Sequence, residues 1–149
     1  LELSEKRIAY GRQQGLNMVP ALTDDQQFHI IYANQVLEHV PDPKATMNEL
    51  ISHTLPGGVI CISVPNSDGV PSEIKAHGGR PRKALMPVQP LEHINSFTHT
   101  TLAQLGEQAG LALMPVSQWR RRLAAMLPVP TTKIPRLGGL TLYFRKAQG

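Results

Sequence analysis

Cysteine, aromatic residues and long hydrophobic runs are all scarce in this 149-residue chain. Cys61 is its single cysteine, and only 5% of its residues are aromatic. One cysteine excludes a disulfide framework and a thiolate metal cluster, and it favours a reducing compartment, so we expect a cytoplasmic protein. No run approaches the roughly 18 apolar residues of a membrane span, so none is expected.

The first residues carry neither a signal peptide nor an initiator methionine. Leu1-Glu2-Leu3-Ser4 has no basic region and no apolar stretch. We therefore interpret the chain as part of a longer one. Its length suits one domain with one core, so residues 1–149 are expected to form a single, partial domain.

Charge is distributed unevenly along the chain. The overall charge of +4 combines four Lys/Arg against nine Asp/Glu in residues 1–74 with eleven against two in residues 75–149. The basic half can attract an anionic small molecule or nucleic acid. Alternatively, the N-terminal part that lies upstream of this chain rebalances the charge of the whole domain.

Helical and strand patterns alternate along the chain. Ser4 and Thr98 can cap helices, whereas FHIIYA and VICISV are continuous apolar runs, typical of strands covered on both faces. The predicted elements are a helix from Glu5 to Gln14, strands at 16–19 and 28–33, a helix from Pro43 to Leu55, a strand at 59–64, a loop over 67–90, a helix over 98–110, a strand at 111–116, a helix at 119–127, a loop over 128–138 and a strand at 140–144.

This order predicts an α/β fold with a doubly wound, mostly parallel sheet and an antiparallel hairpin at its C-terminal edge. Ligands of such sheets bind at the carboxyl ends of the strands. Chemistry is therefore expected at Glu2, at residues 34–39 and at Pro65-Asn66.

Four motifs in order resemble one family. They are IIYANQVLEHVPDP from Ile30 to Pro43, LPGGVI from Leu55 to Ile60, VPN from Val64 to Asn66, and EHI followed by FT between Glu92 and Thr98. Together they resemble class I S-adenosylmethionine-dependent methyltransferases, in the small-molecule branch that includes ubiquinone-biosynthesis O-methyltransferases.

The resemblance implies methyl transfer from S-adenosylmethionine to a small-molecule acceptor, in particular O-methylation. It also implies that the first strand and the Gly-rich cofactor loop lie upstream of Leu1, so that this piece alone is inactive. The alternatives are a non-catalytic module on the same fold, a nucleic-acid methyltransferase, and a Rossmann dehydrogenase. An anionic acceptor would suit the basic half, whereas no nucleic-acid partner is expected, because the basic half lacks interleaved aromatic residues.

The same resemblance assigns cofactor contacts. Glu2 would accept hydrogen bonds from the ribose hydroxyls. Leu22 lies in the region that meets the adenine, and Asn34 and Gln35 would line the methionine end. Asn34 equally suits a simple turn.

His39 and His93 are the candidate bases, because imidazole titrates near working pH. Each could instead be a packing or surface-turn residue. The resemblance gives Glu38 a scaffolding role through bonds to backbone or to the neighbouring helix. The ubiquinone branch has an E-x-x-E-H cluster, and in this chain Gln35 replaces the first acid of that cluster. An amide is a poorer ligand for a hard cation than a carboxylate. No metal is therefore expected.

Overall fold

A computed structural model describes residues 1–2, 4–78, 83–89, 91–115 and 139–148. Its helices are α1 (Glu5–Gln13), α2 (Pro43–Ser52), α3 (Val70–His77), a 3-10 helix (Lys83–Val88) and α4 (His99–Gln108), and its strands are β1 (Phe28–Asn34), β2 (Thr54–Val64), β3 (Ala112–Met114) and β4 (Leu140–Arg145). The predicted helix at 119–127 and the loop over 128–138 lie outside the described residues.

The four strands form one mixed sheet in the order β1-β2-β4-β3. β1 and β2 are parallel, whereas β4 runs antiparallel to both β2 and β3. Three of these strands therefore point the same way, and the last two form an antiparallel pair at one edge. The predicted α/β class and the C-terminal hairpin are confirmed.

The main core lies on one face of the sheet, beneath α2 and α4. Ile60, Phe144 and Leu102 are completely buried there. Gly106 of α4 lies directly on the Phe144 ring, where an added Cβ would come within 2.1 Å of a ring carbon. This close approach requires glycine, and it sets the distance between α4 and the sheet. A smaller cluster of Val59, Cys61, Met114 and Tyr143 lies on the opposite face.

The helix ends follow the capping residues. Thr98 caps α4 and forms a reciprocal pair of hydrogen bonds with Thr101, and Asp42 accepts the Ala45 N–H at the start of α2. Ser4 precedes α1 as predicted, but its side chain makes no capping bond. None of the helices in the described ranges is long and apolar enough to span a membrane.

One predicted strand and two predicted boundaries were wrong. Residues 16–19 form no strand, although the Glu2 N–H donates to Val19 O at 3.1 Å and Met18 O accepts from Arg12 Nε. α2 ends at Ser52 rather than at Leu55, because β2 already begins at Thr54 rather than at Val59. Pro56, Gly57 and Gly58 lie within β2, where its pairing with β1 is irregular.

The predicted loop over 67–90 contains α3 and the 3-10 helix. Its Pro and Gly residues delimit a short helix instead of excluding one. Pro71 stands in the first turn of α3, and Gly78 ends that helix with a φ of +63°.

Candidate functional site

The carboxyl end of β1 turns sharply at Gln35. Its φ of 53° is left-handed, which is unusual for a residue with a side chain. The Gln35 N–H donates to Ser63 O at 2.8 Å, and its amide nitrogen lies 3.4 Å from the same oxygen. The turn is therefore tied to the end of β2 in a conformation that costs energy, a pattern common at ligand sites.

Residues 92–97, here called the crossing segment, lie across the ends of β1 and β2. Asn95 holds this segment on the turn: its backbone N–H donates to Glu38 O, and its side-chain amide donates to Leu37 O at 3.1 Å and to Val40 O at 2.6 Å. The Asn66–Phe97 bridge fixes the other end of the segment beside β2. Sequence analysis missed Asn95, because no pattern indicates a partner more than fifty residues away.

The crossing segment brings the two predicted bases together. The rings of His39 and His93 meet edge to face, with centroids 5.0 Å apart. Nδ1 of His39 lies 2.7 Å from Glu92 O. Because a carbonyl oxygen only accepts hydrogen bonds, Nδ1 of His39 must carry the hydrogen.

Glu38 completes this cluster, although it was not predicted as a catalytic residue. Its side chain is 1% exposed, and Oε1 lies 3.8 Å from Nε2 of His39. Neither carboxylate oxygen has a hydrogen-bond partner among the described residues, and neither does the buried Nδ1 of His93. The scaffolding bonds expected for Glu38 are therefore not found within the part of the chain described.

One potential ligand atom from each of Glu38, His39 and His93 lies within 4.8 Å of the others, a spacing that a cation could bridge. The expectation that no metal is used stays a prediction.

The predicted cofactor residues lie at separate places. Asn34 and Gln35 are exposed at the end of β1, and Leu22 is half-buried in the loop before it. Glu2 accepts the Ser4 N–H at 2.9 Å and pairs with Arg7 at 3.4 Å. Its carboxylate therefore points to the N-terminus of α1, and the ribose role stays a prediction for Glu2, as do the other cofactor contacts.

An open groove of about 400 Å³ lies between the start of α2 and α4. Asp42, Asn95 and Gln104 are among its lining residues, whereas Glu38, His39 and His93 are not. We place the candidate site at the histidine cluster, because the polar groups without partners are there.

Comparison with known proteins identifies relatives. The family model described as "Methyltransferase domain" matches residues 5–116. Ubiquinone biosynthesis O-methyltransferase of Aeromonas salmonicida is 28% identical over 91 residues, which are 61% of this chain and 38% of that protein. The matched part thus spans well under half of that relative.

Solved structures show the same fold. The [4+2]-cyclase SpnF has a TM-score of 0.57 at 18% identity, over 99% of this chain and 65% of its own. The 1,6-didemethyltoxoflavin-N1-methyltransferase of Burkholderia thailandensis, solved with its substrate and S-adenosylhomocysteine, has a TM-score of 0.54 at 20% identity, over 96% and 57%. A cyclase and a methyltransferase share this fold, so the fold alone does not define the reaction.

Proposed function

Because the chain belongs to the methyltransferase domain family, we propose that the protein transfers a methyl group from S-adenosylmethionine to a hydroxyl oxygen of a small molecule. The observation that carries this proposal is the pair of histidines at the carboxyl end of β1, held together by the crossing segment. Imidazole is the side chain best suited to remove a hydroxyl proton near neutral pH.

The cofactor is proposed to lie along the ends of the strands. Support comes from the toxoflavin methyltransferase, which is solved with S-adenosylhomocysteine. Bound S-adenosylmethionine supplies an electrophilic methyl group on a sulfonium. Gln35 and Asn34 would contact its methionine end, Leu22 its adenine and Glu2 its ribose. To bind the ribose, Glu2 would have to exchange its bonds to Ser4 and Arg7 for the ribose hydroxyls.

The acceptor would lie between the cofactor and the histidines. Its oxygen forms a bond to the methyl carbon while the bond from carbon to sulfur breaks and the electron pair stays on sulfur. The hydroxyl proton passes to an imidazole nitrogen of His39 or His93. Alignment of the acceptor oxygen with the methyl group supplies much of the acceleration, and the base adds to it.

The first experiment supplies the full-length protein with S-adenosylmethionine and measures S-adenosylhomocysteine formed with a panel of phenols, catechols, amines and anionic hydroxy acids. Transfer to a hydroxyl is expected, and anionic members should be preferred if the basic half attracts the acceptor. Transfer only to amines, or only to RNA or DNA included in the panel, would contradict the proposed acceptor class.

The base is tested with single variants of the same protein. His39→Ala or His93→Ala should lower kcat about 100-fold. His77→Ala is the matched control, because His77 lies at the end of α3 and pairs only with Glu73 of the same helix. If both active-site variants retain full turnover, the base role is wrong. Binding of S-adenosylhomocysteine without turnover on any acceptor would favour a non-catalytic module.

A further inference from the structure

Glu38 is a buried acid without the partners that burial normally demands. Its side chain is 1% exposed, and both oxygens are enclosed without a hydrogen bond from the described residues. Burial of a carboxylate without a partner is unfavourable, so such a group is expected to have a function or to gain a partner. The backbone around it is fully engaged, since Asn95 bonds the carbonyls of Leu37, Glu38 and Val40.

The position of the hydrogen on the His39 ring determines whether a donor or an acceptor faces the Glu38 carboxylate. Nδ1 of His39 donates to Glu92 O, so Nε2 of the neutral ring carries a lone pair. That nitrogen lies 3.8 Å from Oε1 of Glu38. Two acceptors thus face each other, one on the buried Glu38 and one on the partly exposed His39, and one added proton converts this repulsion into attraction.

We propose that Glu38 is a positioning residue that stabilises the imidazolium formed on the His39–His93 pair when the acceptor hydroxyl loses its proton. This inference rests on the proposed function. The acceptor oxygen bonds to the methyl carbon, the electron pair of the broken carbon–sulfur bond stays on sulfur, and the proton moves to the imidazole pair. The Glu38 carboxylate then faces a positive charge in place of a lone pair, without touching the acceptor.

Among the described residues, the other carboxylates near Glu38 bond helix N-termini or lie at the surface. Asp42, four residues after Glu38, accepts the Ala45 N–H at the start of α2. Asp68, after β2, accepts the His99 N–H of α4. The Glu92 side chain of the crossing segment is exposed and contributes its carbonyl oxygen to the cluster. Glu38 is therefore the carboxylate that faces the two rings.

Glu38→Gln tests the proposal in the full-length protein, with the acceptor that the panel identifies. Without the carboxylate, the imidazolium that forms during methyl transfer loses the negative charge beside it, so kcat at a fixed pH should fall at least tenfold. KM should stay within twofold, because the buried acid does not contact the acceptor.

Two further variants separate this role from a structural one. Glu38→Asp keeps the charge, so it should recover most of the kcat that Glu38→Gln loses. Glu73→Gln removes the carboxylate beside His77 on α3 and should change nothing. A Glu38→Asp enzyme as slow as the Glu38→Gln enzyme, or a KM changed more than twofold in Glu38→Gln, would overturn the proposal. So would turnover that EDTA abolishes and Mg²⁺ restores, since Glu38 would then be a metal ligand.

A measurement on the wild-type protein needs neither turnover nor a folded variant. Nitrogen NMR of imidazole-labelled protein should show neutral His39 with its hydrogen on Nδ1. A hydrogen on Nε2 of neutral His39 would overturn the inference. Absence of methyl transfer with the expected NMR result would instead refute the proposed function alone.

Discussion

β1 and β2 are neighbouring parallel strands of similar composition, FHIIYAN and a run ending in VICISV, yet their environments differ. Residues 58–64 of β2 are all buried, whereas Ala33 is the one buried residue of β1. β2 pairs on both sides, with β1 and β4. Among the described residues β1 pairs only with β2. An apolar run therefore predicts a strand, but its burial depends on how many neighbours it has.

The buried strands and the turn after β1 also differ in what we expect them to contribute to the protein. β2, β4 and α4 supply most of the completely buried side chains, with Phe144 and Leu102 among them, although Met47 of α2 and Leu37 of the turn after β1 are completely buried as well. The turn after β1 carries the left-handed Gln35 and the unpaired acid Glu38. Substitutions along β2 and β4 should therefore change stability most, whereas those at the turn after β1 should change activity most.

Thiol reactivity should show the largest difference between the two strands. Burial in β2 raises the pKa of Cys61 to about 12, so at pH 8 only about one molecule in 10⁴ carries the reactive thiolate. Tyr32, its partner in register on β1, is 46% exposed. In the 149-residue chain, Tyr32→Cys in a Cys61→Ser background should react about 10³-fold faster with a thiol reagent than Cys61 does in the unmodified chain.

Raising the pH should accelerate Cys61 about tenfold per unit while the fold persists, because its thiolate forms only near its elevated pKa. The exposed cysteine should reach its maximum rate near pH 9 to 10. Similar rates for both thiols at pH 8 would show that β2 is not covered in solution.

Two phenylalanines on strands allow a test of packing. Phe144 of β4 is completely buried against Gly106, whereas Phe28 at the start of β1 is 38% exposed. Phe144→Ala should lower the free energy of unfolding by about 3–5 kcal/mol through lost burial and a cavity. Phe28→Ala should cost about 1 kcal/mol. Urea denaturation measures both, and equal losses would mean that β1 is as well covered as β4.

Sequence patterns predicted the elements whose signals are local. Thr98 and Gly110 delimited α4, and the apolar runs located β1 and β2. The exposure of β1 was not predicted, because it depends on sheet order. The approach of His93 to His39 depends on the path of the crossing segment, which Asn95 fixes through carbonyls of a distant turn. Such contacts leave no periodic signal in a single sequence.

Lys146 offers a smaller test at the other end of β2. Its ammonium donates to Ile51 O at 2.9 Å and to Thr54 O at 2.7 Å, joining the end of α2 to the start of β2. Lys146→Met should lower the free energy of unfolding by about 1–3 kcal/mol, because two partly buried carbonyls lose a charged donor.

Arg145→Met is the matched control for Lys146. The two residues are adjacent and both half-buried, but no side-chain hydrogen bond of Arg145 is found in the part of the chain that the structure describes. We expect its loss to be within about 0.5 kcal/mol in the same denaturation experiment. Equal losses for the two variants would mean that the Lys146 bonds do not hold α2 to β2.

The smallest effect on stability is expected at Gln35, where the chain is strained beside the proposed site. Its φ of 53° costs about 1 kcal/mol for a residue with a Cβ and nothing for glycine. Glycine relieves this strain but loses more backbone entropy on folding, and the two effects oppose each other. Gln35→Gly should therefore leave the free energy of unfolding unchanged or raise it by up to about 1 kcal/mol. Gln35→Ala removes the same amide but keeps the strain, so it should be the less stable of the two.

Both variants should bind S-adenosylhomocysteine more weakly by calorimetry, because both lack the amide proposed to contact the cofactor. If the glycine variant is no more stable than the alanine variant, the strain at this turn is not real. If both variants keep full affinity, the turn contributes no side-chain contact to the cofactor.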